Sequence, residues 1–439
     1  MRVTMFDDVL VSFKDAQSER VRAYVLGYDG SSVEIGALSV QLGTQCLIKL
    51  KTGLKFRGEI IKVGTTKNIV SMYDSNIPIA VGDEVQILSD GNSVRVGNGL
   101  LGRVVDALGN FIDNEPSTTL SGEWPLYGKK INSVSRQKID SVLDVGVRVI
   151  NSALTLGKGQ RVGIFAGSGV GKSTLISMIT EFTEADIIVV GLIGERGREV
   201  ADFIRKNKLS ANLKKTVIVA EPADSSPLLR LKGVQRATSI SEYFRSQGKD
   251  VLLIVDSLTR VAHAQREIGL SRGEAAIDKG YTPSVLNLIP KLIERAGCSD
   301  GETGSITAIY TVLADGDDFI SDPIIDTSRS ILDGHIVLSR QNAQQGIFPA
   351  IDLPMSVSRV MNDIVPAEHI ELAERLRALI SCYLENRDLI LLGGYNAGQN
   401  EELDIAIKIW PEIVAFLKQK YNEPSLKQDS LLKLSELLK

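Results

Sequence analysis

The 439 residues read as an α/β protein: a large domain on a parallel sheet, preceded by a small antiparallel β-barrel and followed by a helical domain. Three features point there. Short β-branched runs separated by Gly and Asp turns fill residues 21–88, apolar strand runs alternate with helical stretches between residues 100 and 365, and strand signals stop beyond Pro366. Short strands at turn-punctuated intervals close into barrels, whereas continuous apolar strands alternating with helices belong to parallel sheets covered on both faces.

In chain order, residues 1–18 carry Met5, Phe6, Val9, Leu10 and Phe13, which fall on one side of a short helix. A docking helix and a frayed terminus both fit that pattern. The barrel, residues 19–89, rests on the runs VRAYVL, CLIKL, FRGEIIKV and VQIL, with turns at Gly27 to Gly30, Gly53, Gly64 and Gly82-Asp83. In the central domain, residues 90–365, strands are expected at Val162 to Phe165, Ile187 to Leu192, Val217 to Ala220, Val251 to Val255, Ile306 to Leu313 and His335 to Leu338. Helices are expected between them at Lys172 to Phe182, Glu199 to Lys206, Leu231 to Ser246 and Pro283 to Arg295. In residues 366–439, Ile370, Ala373, Leu376, Ile380 and Tyr383 recur at helical spacing, and a second helix is expected from Glu401 to Lys420 after the Gly393-Gly394 break.

Composition narrows the function. With 50 Lys and Arg against 54 Asp and Glu, the formal charge is −4, which disfavours a dedicated nucleic-acid binder because such proteins draw affinity from a basic surplus. A hydrophobic fraction of 43% is that of a globular chain with a large core. No apolar run approaches the roughly 18 residues of a membrane span, and Asp7 and Asp8 sit where a signal peptide would be apolar. A cytoplasmic location is therefore expected. Cys46, Cys298 and Cys382 are odd in number and far apart, and His263, His335 and His369 show no metal-ligand spacing. Any metal is expected to arrive with a substrate.

The strongest local signal is Ala166-Gly167-Ser168-Gly169-Val170-Gly171-Lys172-Ser173-Thr174, placed directly between the strand RVGIF and an amphipathic helix. In a P-loop the glycines let backbone amides turn inward onto phosphate oxygens, and the following helix adds the positive end of its dipole. Lys172 then reaches the β- and γ-phosphates and the Ser173 hydroxyl a Mg²⁺ ion. The first position of the pattern is Ala166 rather than Gly, a change of one methyl group. Asp256 ends the apolar strand VLLIVD, and the carboxyl ends of such strands face the ligand crevice, so it is a candidate for the Mg²⁺ shell. Glu195 follows the strand DIIVVGLI in the run GERGRE; it is a candidate to prepare the attacking water, and a plain charged loop fits the same spacing.

Together GIFAGSGVGKSTL, GLIGERGREV, SITAIYTVL, SRSILDGHIVLSR and GIFPAIDLPMSVSRVM resemble, in order and over nearly the whole chain, the export ATPases of flagellar and type III secretion systems, relatives of the rotary ATP synthase catalytic subunit. The resemblance implies a RecA-like ATPase core and Mg-ATP hydrolysis that releases chaperones and unfolds cargo for export. It implies Glu195 as the carboxylate that activates water, Arg196 as an arginine near the γ-phosphate and Phe348 as the ring that stacks on adenine. Arg359 would be the arginine finger of a neighbouring subunit, and Tyr395 would complete the adenine pocket. Arg260 also resembles a family arginine, with a structural ion pair as its expected role. The loop Gly273 to Ala276 lacks the consecutive prolines of the family pattern.

Because one chain supplies both active site and finger, a homohexamer is implied. The other implied partners are a stator-like protein at the N-terminus, a central-stalk coiled coil, membrane proteins of the export gate and chaperone–cargo complexes, with peripheral association at the inner face of the cell membrane. The flagellar apparatus is the first reading. An injectisome ATPase, an ATP synthase catalytic subunit and a hexameric RNA translocase are the alternatives, the last disfavoured by an aromatic content of 5%.

Overall fold

The computed structural model describes residues 22–30, 32–74, 77–89, 91–208, 210–301, 303–314 and 322–439. The segment 1–18, with its candidate docking helix, lies outside them. β1 (Arg22–Tyr28), β2 (Ser32–Gly36), β3 (Gln45–Lys49), β4 (Lys55–Lys62), β5 (Lys67–Met72) and β6 (Glu84–Ser89) close into a barrel in the order β1-β2-β5-β4-β3-β6. Alternation sets its inside: Ala23 and Val25 of β1 point inward with Val33, Ile35, Ile48, Ile60, Val70 and Val85, while Tyr24 and Leu26 point out. β2 and β5 were not among the expected runs. Glu34 and Asn68 interrupt their apolar residues, and the two strands are each other's partners: they pair antiparallel, with Glu34 in an ion pair with Lys67.

A ribbon of β7 (Ser93–Val96) and β9 (Gly122–Pro125) flanks β8 (Val104–Val105), and β10 (Val142–Leu143) pairs with β11 (Leu156–Gly157). The central sheet then takes β12 (Arg161–Ala166), β13 (Ile187–Ile193), β14 (Thr216–Glu221), β15 (Asp250–Asp256), β16 (Gly297–Cys298), β17 (Ser305–Leu313), β18 (Gly334–Leu338) and β19 (Ile351–Ser358). Its order is β19-β18-β12-β17-β15-β13-β14-β8, with β16 beside β17. The expected strands are present and parallel, but β19 runs antiparallel on the edge next to β18, so the sheet is mixed. Pro354 within β19 fits an edge, where a missing N–H breaks no ladder between two neighbours.

The helices are α1 (Arg148–Ala153), α2 (Lys172–Phe182), α3 (Gly197–Asn207), α4 (Pro227–Arg245), α5 (Leu258–Ser271), α6 (Pro283–Ile293), α7 (Pro323–Ile331), α8 (Arg340–Gln344), α9 (Met361–Ile364), α10 (Ala367–Leu391), α11 (Glu401–Leu417) and α12 (Lys427–Leu437). They cover both faces of the sheet, as β13 shows: Ile188, Val190 and Leu192 join one core with α2, while Ile187, Val189 and Ile193 join another with α4 and α6. Leu376, Leu379 and Ile380 of α10 and Ile413 and Phe416 of α11 enter the first core, so the C-terminal helices pack on the same face as α2. Barrel and core are tied by a buried ion pair, Lys232 Nζ of α4 to Glu59 Oε2 of β4 at 2.6 Å, with the Tyr73 hydroxyl donating to the same carboxylate.

Candidate active site

β12, β15 and β13, with β17 between the first two, end on the same edge of the sheet, and their carboxyl ends bring the chemistry together. After β12 the chain turns through Gly169 (φ 79°) and Gly171 (φ 93°) into α2, both in the left-handed region that favours glycine. Ala166, the departure from the P-loop pattern, is the fully buried last residue of β12, paired with Leu313 and Leu338, where its methyl group packs in the core. Val170 points its side chain into that core and leaves only its backbone to the loop. Ser168, Ser173 and Thr174 are exposed around the turn.

Lys172 opens α2 and reaches across the crevice. Its Nζ donates to Glu195 Oε1 at 3.1 Å and closely to Asp256 Oδ1, and all three side chains are about nine-tenths buried. Burial opposes the lysine charge, but Asp256 and Glu195 outweigh it and hold the ammonium pKa above its ordinary value. Burial, reinforced by the charge of Asp256, pushes Glu195 up from the usual carboxylate range against the opposing pull of Lys172. Thr311 of β17, which the sequence analysis did not single out, donates its hydroxyl to Asp256 Oδ1 at 2.6 Å and orients that carboxylate.

Glu195 follows β13 after Gly194 (φ 72°), and a Cβ at Gly194 would stand 2.7 Å from that of Arg260. That glycine lets Arg260 pass into a cavity of 560 Å³ lined by the P-loop, Lys172, Glu195, Arg196, Leu313 and Ala314. Arg260 was expected to sit in an ion pair; among the described residues no carboxylate pairs with it, and its Nε is buried without a hydrogen-bond partner. Arg196 lies at the rim, 81% exposed, with its guanidinium 3.8 Å from Glu199. A smaller cavity of 180 Å³ is lined by Ser173, Glu195 and Asp256. A lysine between two carboxylates, a glycine turn that opens a helix and the guanidinium of Arg260 together can hold a polyphosphate and accept a proton from water beside it.

The comparisons with known proteins agree with this geometry. Residues 146–358 match the model of the ATP synthase alpha/beta family, nucleotide-binding domain, and residues 365–436 that of the T3SS EscN ATPase C-terminal domain. The chain is 46% identical to the flagellum-specific ATP synthase of Pseudomonas aeruginosa over 421 residues, covering 95% of this chain and 93% of the relative. This chain belongs to the flagellar and type III export-ATPase family. The export ATPase is likewise 44% identical to the flagellum-specific ATP synthase of Bacillus subtilis, with 93% of each chain covered. Its fold superimposes on the assembled ATPase EscN of the enteropathogenic E. coli type III secretion system with a TM-score of 0.90 at 40% identity, covering 95% of this chain and all of that one. It is an ATP-hydrolysing enzyme with a nucleotide-binding P-loop domain.

Beside the P-loop of the export ATPase, the Phe348 ring leans on Gly171, whose Cβ would lie 3.4 Å from it. It walls a cavity of 410 Å³ with Leu175, Met178, Pro349 and Tyr421. Tyr395 does not reach this cavity. Its hydroxyl donates to Asp404 Oδ1 at 2.9 Å and accepts from the Asn400 amide at 3.2 Å, closing the α10–α11 connection. The second aromatic at the cavity is Tyr421, 68% exposed, just beyond α11; the signal in the sequence is one tyrosine in KQKYNEP after a helix end, too weak to single out. The Gln419 amide donates to the Phe348 carbonyl at 2.8 Å and holds the two segments together.

Arg359 stands elsewhere. The start of β19 pairs with the end of β18, Ile351 with Leu338, and its end pairs with the start of β18, Ser358 with Gly334. Since β18 is parallel to β12, the antiparallel β19 carries the chain from the P-loop end of the sheet to the opposite end. Eight strand residues at about 3.3 Å each span roughly 25 Å, so Phe348 and Arg359 bracket the sheet. Arg359 is exposed there and donates to the Arg329 carbonyl at 3.3 Å.

Proposed function

We propose that this export ATPase hydrolyses Mg-ATP in a ring of six identical chains and uses the cycle to drive protein export, releasing chaperones and unfolding cargo, at a flagellar type III apparatus. The observation that carries the reading is the Lys172 ammonium held between Glu195 and Asp256 beside the P-loop. Phosphate oxygens of ATP take over Lys172 as it leaves the two carboxylates, with the amides of Gly167 to Thr174 around them. Glu195, no longer paired, has the raised proton affinity of a buried base and receives the proton of the attacking water. Arg260 and Arg196 offer guanidinium groups to the γ-phosphate from one side of the cavity. The adenine ring stacks on Phe348 with Tyr421 closing the pocket.

The Ser173 hydroxyl and the Asp256 carboxylate are hard oxygen donors at one cavity, the donor set that suits Mg²⁺. When bound, the ion supplies charge neutralisation on the β- and γ-phosphates. Arg359, at the far end of the sheet from its own P-loop, serves as the finger of the neighbouring site in a head-to-tail ring.

The flagellar assignment is supported by the relatives in Pseudomonas and Bacillus. The likeness to EscN supports the second reading, an injectisome ATPase. EscN has been solved with its central stalk EscO, which supports a coiled-coil stalk as a partner here. The stator-like protein, export gate and chaperone–cargo complexes are proposed as further partners on the family resemblance alone. Among the described residues no helix is long and apolar enough to cross a membrane, in keeping with a cytoplasmic protein that associates peripherally with the membrane. The test is steady-state ATPase rate against protein concentration with light scattering on the same samples. Specific activity should rise steeply as hexamers form, and a flat profile from monomers would rule out the shared site.

A further inference from the structure

We infer that the export ATPase carries a second anion site, for a small phosphorylated molecule, in the cleft between the β-barrel and the nucleotide-binding core. The cleft has a volume of 570 Å³ and lies between β3 and β7 on one side and the N-terminal half of α4 on the other. Three cations line it, Arg95, Lys232 and Arg236, and among the described residues no carboxylate does. Lys232 is already matched by Glu59, and Arg95 is exposed. Arg236 is neither: it is only 8% exposed, and its one hydrogen bond is from Nε to the Ala107 carbonyl at 2.9 Å. Its Nη1 and Nη2 therefore have no partner among the described residues, and they are the paired donors that grip two oxygens of one phosphate.

The loop facing Arg236 is built to leave those donors free. Gly109 has φ 89°, in the left-handed region that favours glycine, and the guanidinium takes the space of the missing side chain: a Cβ there would stand 2.6 Å from Nη1. Asp106, the nearest acid on the loop, spends its oxygens on the amides of Leu108 and Asn110 and on the Asn110 side chain. Glu221, on the other side, accepts from the Ala107 amide. Burial of an unpaired guanidinium is costly, and it pulls the Arg236 pKa down to about 10. An incoming phosphate offsets that cost and joins barrel to core. The rim residue Thr118 is exposed, which leaves a path for entry.

This site is separate from the P-loop, so the two fail separately. Isothermal titration of the full chain with inorganic pyrophosphate, and in parallel with AMP, reads it. In Lys172→Ala, binding at the cleft should persist. It should weaken at least tenfold in Arg236→Met, while the ATPase rate of that variant at saturating Mg-ATP stays within twofold of wild type. Thr118→Glu, a change at an exposed position that supplies a carboxylate in place of the ligand, should weaken binding as well and keeps the test open if Arg236→Met does not fold. Tighter binding of AMP than of pyrophosphate would identify a nucleotide, and the reverse a bare phosphate compound. Binding that disappears in Lys172→Ala and is unchanged in Arg236→Met or Thr118→Glu would assign all of it to the P-loop and overturn the inference, as would no binding of either probe beyond the P-loop.

Discussion

Replacing Arg359 by Ala separates assembly from chemistry more cleanly than any other single change. The side chain is exposed and, among the described residues, makes one hydrogen bond, to the Arg329 carbonyl at 3.3 Å, so its loss should cost the fold no more than about 0.5 kcal/mol. A finger supplied in trans contributes about 10³ to 10⁵ in kcat, or roughly 4 to 7 kcal/mol of barrier. The variant should thus melt like the wild type, bind ATP, form rings and barely turn over. Mixing supplies the decisive assay. Arg359→Ala chains keep the P-loop and Lys172→Ala chains keep the finger, so an equimolar mixture reassembled into rings pairs a sound P-loop with a sound finger at about a quarter of its interfaces. ATPase activity should reappear, up to about that fraction of the wild-type rate. The reasoning from β19 fails if the mixture shows no more activity than its two components apart.

Glu195 is pushed above the ordinary carboxylate value of 4.5, chiefly by burial, so it loses its charge at a higher pH than an exposed glutamate. The acid limb of kcat/KM for ATP should lie correspondingly higher, and Glu195→Gln should lower kcat by about 10² to 10⁴ and abolish that limb in a pH–rate profile. Tyr421→Ala should raise the KM for ATP five- to tenfold, the weight of roughly 1 kcal/mol of ring stacking, whereas Tyr395→Ala should leave it unchanged. Thr311→Val, which removes a buried hydrogen bond to Asp256, should lower the urea midpoint by the equivalent of about 1.5 to 3 kcal/mol. Lys232→Met strands Glu59 between barrel and core at a cost of about 3 to 5 kcal/mol near neutral pH. Burial already raises the Glu59 pKa, so its protonated form favours the folded state. That contribution is full below the unfolded pKa of 4.5 and is lost as pH rises through the folded value, so thermal melts should show the variant's deficit growing from pH 5 to pH 8.

What the amino-acid sequence determined by itself was whatever depends on contiguous chain. The P-loop is strand, glycine turn and helix in succession, all within one contiguous stretch, so it is legible from spacing alone. Asp256 and Glu195 are legible for a related reason: the first ends and the second closely follows a continuous apolar strand, and strand ends face the crevice. The helical tail follows from periodicity, and the barrel in part, since β2 and β5 are too polar to announce themselves.

Tertiary structure decided what depends on which distant segments meet. That Lys172 lies between two carboxylates, with Thr311 behind one of them, follows from the order of β12, β17, β15 and β13 in the sheet, which no local pattern encodes. Tyr421 rather than Tyr395 stands beside Phe348 because α11 returns the chain to the P-loop, while the earlier tyrosine closes a turn at its other end. Arg260 pairs with no carboxylate among the described residues because Gly194 lets it pass into the cavity beside the P-loop. The antiparallel course of β19 sets Arg359 a full strand length from Phe348, although only ten residues intervene. Short-range chemistry is written in spacing; the distance between two groups in the folded chain is set by sheet order and strand direction, and those are settled only when the core packs.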